Sequence, residues 1–199
     1  EAAGECVAQI IGAGIIPGGM EMMDKPAIHA AEAFVHAGYP LDVEALLIIE
    51  LDGLSDGMEE QAQRILEICR KNGVVSTRRA KDAAERADLW AGRRGAFGAV
   101  ARLAPSYLVC DGTVPRTKLP AALSAVKKVG EKYNLAVGNV FHAGDGNLHP
   151  LIMFDANRPG EAERAEAFGA AILELCIEVG GTVTGEHGVG VEKIDQMCV

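Results

Sequence analysis

The sequence predicts an α+β fold, a ferredoxin-like α/β sandwich with helices packed on one face of a largely antiparallel sheet. Three observations predict it. Helical and strand patterns alternate along the chain with short connections. One strand pair, Ala136 to His142 and Leu148 to Phe154, is joined by Ala143-Gly144-Asp145-Gly146-Asn147, whose Asp-Gly step is a hairpin signal that excludes a purely parallel sheet. The order of elements reads β-α-β-β-α-β. With 199 residues, 49% hydrophobic and 24% charged, the chain has the composition of one globular domain. At that length it buries roughly 70% of its unfolded surface, so it needs neither disulfide nor metal to fold, and a metal site found here points to function.

The elements follow in order. Glu1 to Gly12 runs as a helix without a cap before it, Met20 to Met23 as a short strand, and Pro26 opens a helix that ends near Ala37-Gly38. Leu46 to Leu51 is apolar except for Glu50, which predicts a strand buried on both faces. Asp56 and Glu59 form a capping box for a helix whose Met58, Ala62, Ile65, Leu66 and Cys69 repeat at 3.6 residues, with Gly73 ending it. Val74 to Thr77 suits a strand, Ala80 to Gly92 a helix, and Ser106 to Cys110 a strand closed by the turn Asp111 to Pro115. A helix bearing Leu119, Leu123, Val126, Val129 and Tyr133 on one face precedes the hairpin. After it, Glu161 to Val179 is helical, Gly181 to Thr184 a short strand, and Lys193 to Val199 a helix with no closing Gly or Asn. Uncapped helices at both ends and the lack of an initiator Met lead us to expect that residues 1–199 are one domain of a longer protein.

Charge and cysteine content exclude several classes. Nineteen basic against 28 acidic residues give a net charge of −9 with no basic run, so nucleic acid is not an expected partner. No stretch reaches the ~18 apolar residues of a membrane span, and no basic-then-apolar leader opens the chain. A cytoplasmic protein is expected, with any contact to the inner membrane made through partner subunits. The five cysteines, Cys6, Cys69, Cys110, Cys176 and Cys198, are far apart and odd in number, which fits buried free thiols rather than a disulfide framework or zinc knuckle.

The densest polar chemistry lies at the hairpin. In a symmetric hairpin His142 and His149 face each other with Cβ atoms ~5 Å apart, a spacing that suits a divalent metal. The plainer reading is one satisfied core histidine and one solvated one. A second cluster, Thr184-Gly185-Glu186-His187-Gly188-Val189-Gly190, sets a carboxylate beside an imidazole among glycines that allow close backbone approach. Two histidines with a glutamate, leaving room for water or substrate, are the ligand set of an open catalytic metal site. The alternative is a glycine-rich turn with Glu186 near a helix N-terminus.

These segments, together with Gly18-Gly19-Met20-Glu21-Met22-Met23-Asp24 and Leu89-Trp90-Ala91-Gly92-Arg93, resemble the C-terminal (cap) domain of FAD-linked 2-hydroxy acid oxidases. The resemblance extends to the flavoprotein subunit of bacterial glycolate oxidase and to D-lactate and D-2-hydroxyglutarate dehydrogenases. The resemblance implies metal ligands at His142, His149 and Glu186, with zinc or manganese as the divalent ion. It implies a catalytic histidine at His187 beside the substrate hydroxyl, and a carboxylate-binding arginine at Arg93. It also implies FAD held by a separate N-terminal domain of the same protein, a small 2-hydroxy acid substrate and contact with other oxidase subunits. Leu151 stands where hydroxyglutarate enzymes carry a polar residue, which implies a small substrate such as glycolate or D-lactate. Because no flavin-binding segment is visible, the fragment alone is expected to be inactive.

Rival motifs are weaker. Gly53-Leu54-Ser55-Asp56-Gly57 matches G-x-S-x-G formally, but Asp52 and Asp56 crowd the serine with negative charge. Gly12-Ala13-Gly14 lacks the third glycine of a dinucleotide fingerprint. Trp90 is expected in the core and Lys127-Lys128 on a solvated face. A metal-dependent hydrolase using the same three ligands and a ferredoxin-like ligand-binding regulatory module are the two rival functions, separated by activity without flavin and by metal content.

Overall fold

A computed structural model describes residues 1–198. The elements are α1 (Ala2–Gly12), β1 (Gly19–Asp24), α2 (Lys25–Val35), β2 (Ala45–Glu50), α3 (Ser55–Lys71), α4 (Ala83–Val100), β3 (Ser106–Val109), β4 (Gly112–Thr113), α5 (Leu119–Tyr133), β5 (Ala136–Phe141), β6 (Asn147–Leu148), β7 (Pro150–Phe154) and α6 (Glu161–Glu178). Five strands form one sheet in the order β2-β1-β5-β7-β3, and every pairing within it is antiparallel. The short β4 and β6 pair beside it.

The α+β class and the antiparallel sheet agree with the expectation. The crossover β3–α5–β5 straddles β7, and after α6 the chain returns to bridge Thr182 to Thr113. This is the split βαβ arrangement of a ferredoxin-like unit. Its two helices, α5 and α6, do lie on one face, where Val126, Phe168 and Ile172 pack with Met20, Met22, Phe141 and Ile152. Helices α1 and α3 extend that layer through Val7, Ile10, Ile65 and Cys69. The other face is covered as well, which corrects the one-face expectation. Met23, Val140, Leu151 and Met153 alternate onto it and are sealed by Ala27, Ile28 and Ala31 of α2 and Ala96, Ala99 and Val100 of α4.

Several local expectations change. β2 is an edge strand, half-buried throughout rather than buried on both faces, because only β1 pairs with it. The Asp56/Glu59 capping box does not form: Asp56 and Gly57 are non-helical, with Gly57 at φ 100°, and Glu59 pairs with Gln63 and Arg79 instead. Val74 to Thr77 is exposed chain with no sheet partner. Helix α4 is capped by the Asp82 carboxylate on the Glu85 N–H and runs past Gly92 to Val100. Glycine is tolerated at position 92 for packing, since a Cβ there would collide with the Tyr39 ring, whose hydroxyl donates to the Leu89 carbonyl. Trp90 is half-buried over Gly19 and lines a surface cavity of about 270 Å³ with Arg86 and Arg94. The Gly181–Thr184 strand reduces to the single Thr182 bridge, and the expected terminal helix is a 3₁₀ turn over Asp195–Cys198; Val199 lies outside the described residues. Lys127 and Lys128 are exposed as expected.

Cys6, Cys69, Cys110 and Cys176 are buried free thiols, and Cys198 is exposed. Burial, followed by the proximity of Cys69, pushes the Cys6 thiol up to about 12, and burial pushes Cys110 up to about 12. Thiolate is the reactive form, so these groups are inert in the folded state. Titration with a chromogenic disulfide at pH 8 should label Cys198 at once and the other four only on addition of denaturant. Two or more fast thiols in the native protein would contradict this burial.

A histidine and carboxylate cluster at the end of the sheet

The candidate site lies where β1, β5 and β7 end on the α4 side of the sheet. The hairpin is tighter than the symmetric reading expects. His142 pairs with Asn147 through two backbone hydrogen bonds of 3.1 and 3.2 Å, leaving only Ala143 to Gly146 in the loop. Gly146 makes this possible with φ 72°, and a Cβ there would strike the Val114 carbonyl. Continuing the register (Asn139 opposite Pro150), His149 lies across from Val140 rather than His142. The two imidazoles are therefore diagonal neighbours on one face, and their rings still meet edge to face with centroids 5.2 Å apart.

Glu186 brings the second cluster to the first. Its Oε1 lies 3.1 Å from His149 Nε2, 3.6 Å from His142 Nε2 and 3.5 Å from His187 Nε2. Three imidazole nitrogens thus converge on one carboxylate oxygen. His149 stacks on His187 at 4.9 Å and lies 5.7 Å from Phe97 of α4. The His149 side chain is 1% exposed, yet among the described residues neither ring nitrogen has a hydrogen-bond partner; the approach of Nε2 to Glu186 is close but poorly directed. Buried polar groups are ordinarily hydrogen-bonded, so this imidazole is an exception within the core. His142, His149 and Glu186 offer atoms within 4.8 Å of one another, as a divalent cation requires.

Around these groups the fold sets two further carboxylates. Glu21, on β1, accepts from His142 Nδ1 at 2.8 Å, which assigns the proton of the neutral ring to Nδ1 and leaves Nε2 as a lone pair facing Glu186. The same bond raises the His142 pKa, whereas burial, followed by the charge of His142, lowers that of His149. The other Glu21 oxygen accepts from Arg93 Nε at 2.8 Å. Arg93 Nη2 is also 2.8 Å from it but outside the direction of a hydrogen bond, so that N–H stays unspent. Asp111, completely buried, works against the burial that would raise its pKa: the Thr184 hydroxyl and the His187, Glu186 and Gly185 amides hold it well below the carboxylate range.

Residues 1–198 match the family described as FAD linked oxidases, C-terminal domain. The chain belongs to that family. This FAD-linked oxidase C-terminal domain is 56% identical over 198 residues to the glycolate oxidase subunit GlcD of Escherichia coli (strain K12), covering 100% of this chain and 40% of that protein. It is 40% identical over 193 residues to the glycolate oxidase subunit GlcD of Bacillus subtilis (strain 168), covering 97% and 41%. The probable mitochondrial D-lactate dehydrogenase of Danio rerio is 33% identical over 195 residues, covering 97% and 39%. The chain therefore spans about two-fifths of the length of these curated relatives. Among solved structures, p-cresol methylhydroxylase with substrate bound superposes with a TM-score of 0.64 at 14% identity, covering 92% of this chain and 42% of that one. Alkyldihydroxyacetonephosphate synthase gives 0.64 at 13%, covering 98% and 40%. At those identities the likeness establishes the fold alone.

All five residues singled out from sequence, His142, His149, Glu186, His187 and Arg93, fall in one neighbourhood, with Arg93 joined to His142 through Glu21. Arg94 points away, into the cavity beside Trp90. The cluster lies outside both the cavity beside Trp90 and a second one lined by Leu108, Glu163 and Lys193. Among the described residues Ser55 has only Asp56 as a side-chain partner, which leaves the G-x-S-x-G match without a base. Sequence reasoning missed the roles of Glu21 and Asp111. The available signals were a lone acid inside the apolar run Met20–Met23 and an acid directly after strand β3.

Glu21 and Arg93 form a buried ion pair, 11% and 8% exposed at the side chain. Glu21→Gln should therefore destabilise the domain by about 3–5 kcal/mol, read from urea denaturation, because it strands a buried guanidinium. A loss below about 1 kcal/mol, the range of a surface pair, would contradict the assignment.

Proposed function

We propose that this domain is the substrate- and metal-binding cap of an FAD-dependent oxidoreductase that oxidises a small 2-hydroxy acid, glycolate or D-lactate, to the 2-oxo acid. The observation that carries the reading is the convergence of three imidazole nitrogens on Glu186 Oε1 around a buried, unpartnered His149. The names of the relatives, glycolate oxidase and D-lactate dehydrogenase, supply the substrate class.

In this reading His142, His149 and Glu186 would hold a divalent ion, zinc or manganese. The donor set fits: Nε2 of His142 is free for it because Nδ1 is spent on Glu21, and His149 has no competing hydrogen bond. When bound, such an ion polarises the substrate hydroxyl and lowers its pKa. His187, half-exposed at the rim and 3.5 Å from Glu186, takes the hydroxyl proton at its imidazole nitrogen. Arg93 holds the substrate carboxylate with the N–H that Glu21 leaves unspent. Leu151, fully buried on the α4 side, presents no polar group for a second substrate carboxylate, which favours the small acids. Phe97 and the α4 surface shield the cluster from water. FAD, which a separate domain of the same protein would hold, would supply the acceptor for a hydride from the α-carbon.

Other oxidase subunits complete the assembly in this proposal, and we place the enzyme in the cytoplasm, with contact to the inner membrane made through those subunits. No helix of the described residues is long and apolar enough to cross a membrane.

Metal content and kinetics of the full-length protein test the reading. His149→Ala should abolish stoichiometric metal. His187→Ala should keep the metal and lower kcat for glycolate or D-lactate by roughly 10²–10⁴-fold, since it removes the base. Equal metal loss in both variants would make His187 a ligand, and hydrolytic turnover without flavin would replace the oxidase reading. Arg93→Lys should raise KM for either acid by about tenfold or more, because an ammonium cannot reproduce the guanidinium's directed N–H donors. Unchanged kinetics would remove Arg93 from the substrate site.

A further inference from the structure

Glu186 and His187 lie in a stretch, Thr184 to Gly190, that has no helix or strand of its own. Gly188 and Gly190 both have positive φ, 83° and 56°. Glycine-rich chain of this kind pays a large conformational entropy cost on ordering. Something else must hold two neighbouring side chains at the metal cluster.

That hold comes from one carboxylate. Asp111 Oδ2 accepts from the Thr184 hydroxyl at 2.6 Å and the His187 amide at 2.9 Å, and Oδ1 lies 3.0 Å from the Gly185 amide and 3.2 Å from the Glu186 amide. Three consecutive backbone N–H groups and a hydroxyl therefore end on a side chain that is fully buried. The loop folds back on itself as well, with the Gly188 amide donating to the Thr184 hydroxyl oxygen at 2.9 Å. Lys193, 6% exposed, comes from just beyond the loop: its Nζ donates to the Asp111 main-chain carbonyl at 2.9 Å and to Oδ2 at 3.3 Å. The ammonium is the counter-charge that lets the carboxylate stay buried, and the pair staples the start and the end of the loop to the turn after β3.

We propose that Asp111 and Lys193 form a positioning pair whose task is to fix the backbone of residues 185–187, so that the Glu186 carboxylate and the His187 ring are presented to His149. The proposal rests on the metal and base assignments above for its functional consequence. Asp111 also lies near His149 and His187 in a geometry that could be taken for a second ligand set, with Oδ1 3.4 Å from His149 Nε2. Its hydrogen-bond load separates the two roles. Both oxygens are already engaged by at least two donors each, and turning one toward a cation would release the loop that carries Glu186.

The test uses the full-length protein carrying Asp111→Asn, Lys193→Met or both, with Thr184→Val as a milder variant that removes one hydroxyl. In the metal-free protein, amide hydrogen exchange at Gly185, Glu186 and His187 should accelerate by about tenfold or more in each of the first two variants, as expected for losing charge-assisted hydrogen bonds. Amides of β5 and β7 should keep their protection. Thr184→Val should accelerate the same three amides to a smaller degree. Cobalt(II) titration should show affinity reduced about 10–100-fold, the usual consequence of losing an outer-shell support. The visible bands should shift toward those of Glu186→Ala, and the two single losses should not add in the double variant.

Unchanged exchange at the three amides would overturn the proposal, as would exchange that rises uniformly over the whole domain. A changed cobalt spectrum with the three amides still protected would make Asp111 a ligand instead. If the parent protein binds no cobalt, the metal reading fails, while the exchange data still decide whether Asp111 and Lys193 hold the loop.

Discussion

A carboxylate on the inner face of a central strand is tolerated only with counter-charge, and Glu21 meets that constraint twice. One oxygen takes Arg93 from α4, the other takes His142 from the end of β5. The sheet, the helix that roofs it and the hairpin that carries the imidazoles are thereby tied at a single buried point. Removing water from that point strengthens each bond and makes any unpaired member costly. The orientation of His142 and the depth at which Arg93 sits both follow.

Asp111 repeats the logic on the opposite side of the cluster. It too is a buried acid, and its partners are backbone amides and an ammonium rather than a guanidinium and an imidazole. Between the two acids lie His142, His149, Glu186 and His187. His142 and His149 thus come from the hairpin between β5 and β7, while Glu186 and His187 come from a loop. This division matches the chemistry proposed for the site: the two hairpin rings are held at the end of the sheet, and the glycine-rich stretch leaves space beside Glu186 and His187 for a small substrate. The half-exposed side chains of Glu186 and His187 against the buried His149 mark which side of the cluster is open.

The two layers of helices explain why part of the fold was harder to read than the rest. Helices α5 and α6 belong to the split βαβ unit and flank the hairpin directly, α5 before it and α6 after it, so their place could be anticipated from element order. Helix α4 could not be placed so simply. Its pattern includes Arg93 and three glycines, Gly92, Gly95 and Gly98, and it lacks a clean apolar stripe. It nonetheless packs closely on α2 through Ala96, Ala99 and Ala27, because small residues let backbones approach. Its length beyond Gly92 is likewise a product of packing, since a glycine inside a helix costs only about 1 kcal/mol and burial outweighs it.

From its own residues the sequence determined the α+β class, the hairpin, most helices and strands, and the grouping of His142 with His149 and of Glu186 with His187, since these depend on periodicity, turn residues and short-range spacing. Resemblance of the motifs added Arg93 and the link between the two groups. Tertiary structure alone decided the four-residue hairpin loop that sets His149 diagonal to His142, the second helix layer, and the failure of the Asp56 capping box and the Val74 strand. It alone revealed Glu21 and Asp111 as organisers. The reason is physical: an acid's role depends on which donors reach it once water is removed, and those donors lie 72 and 121 positions away for Glu21 and 73 to 82 positions away for Asp111. No local pattern carries information over that distance.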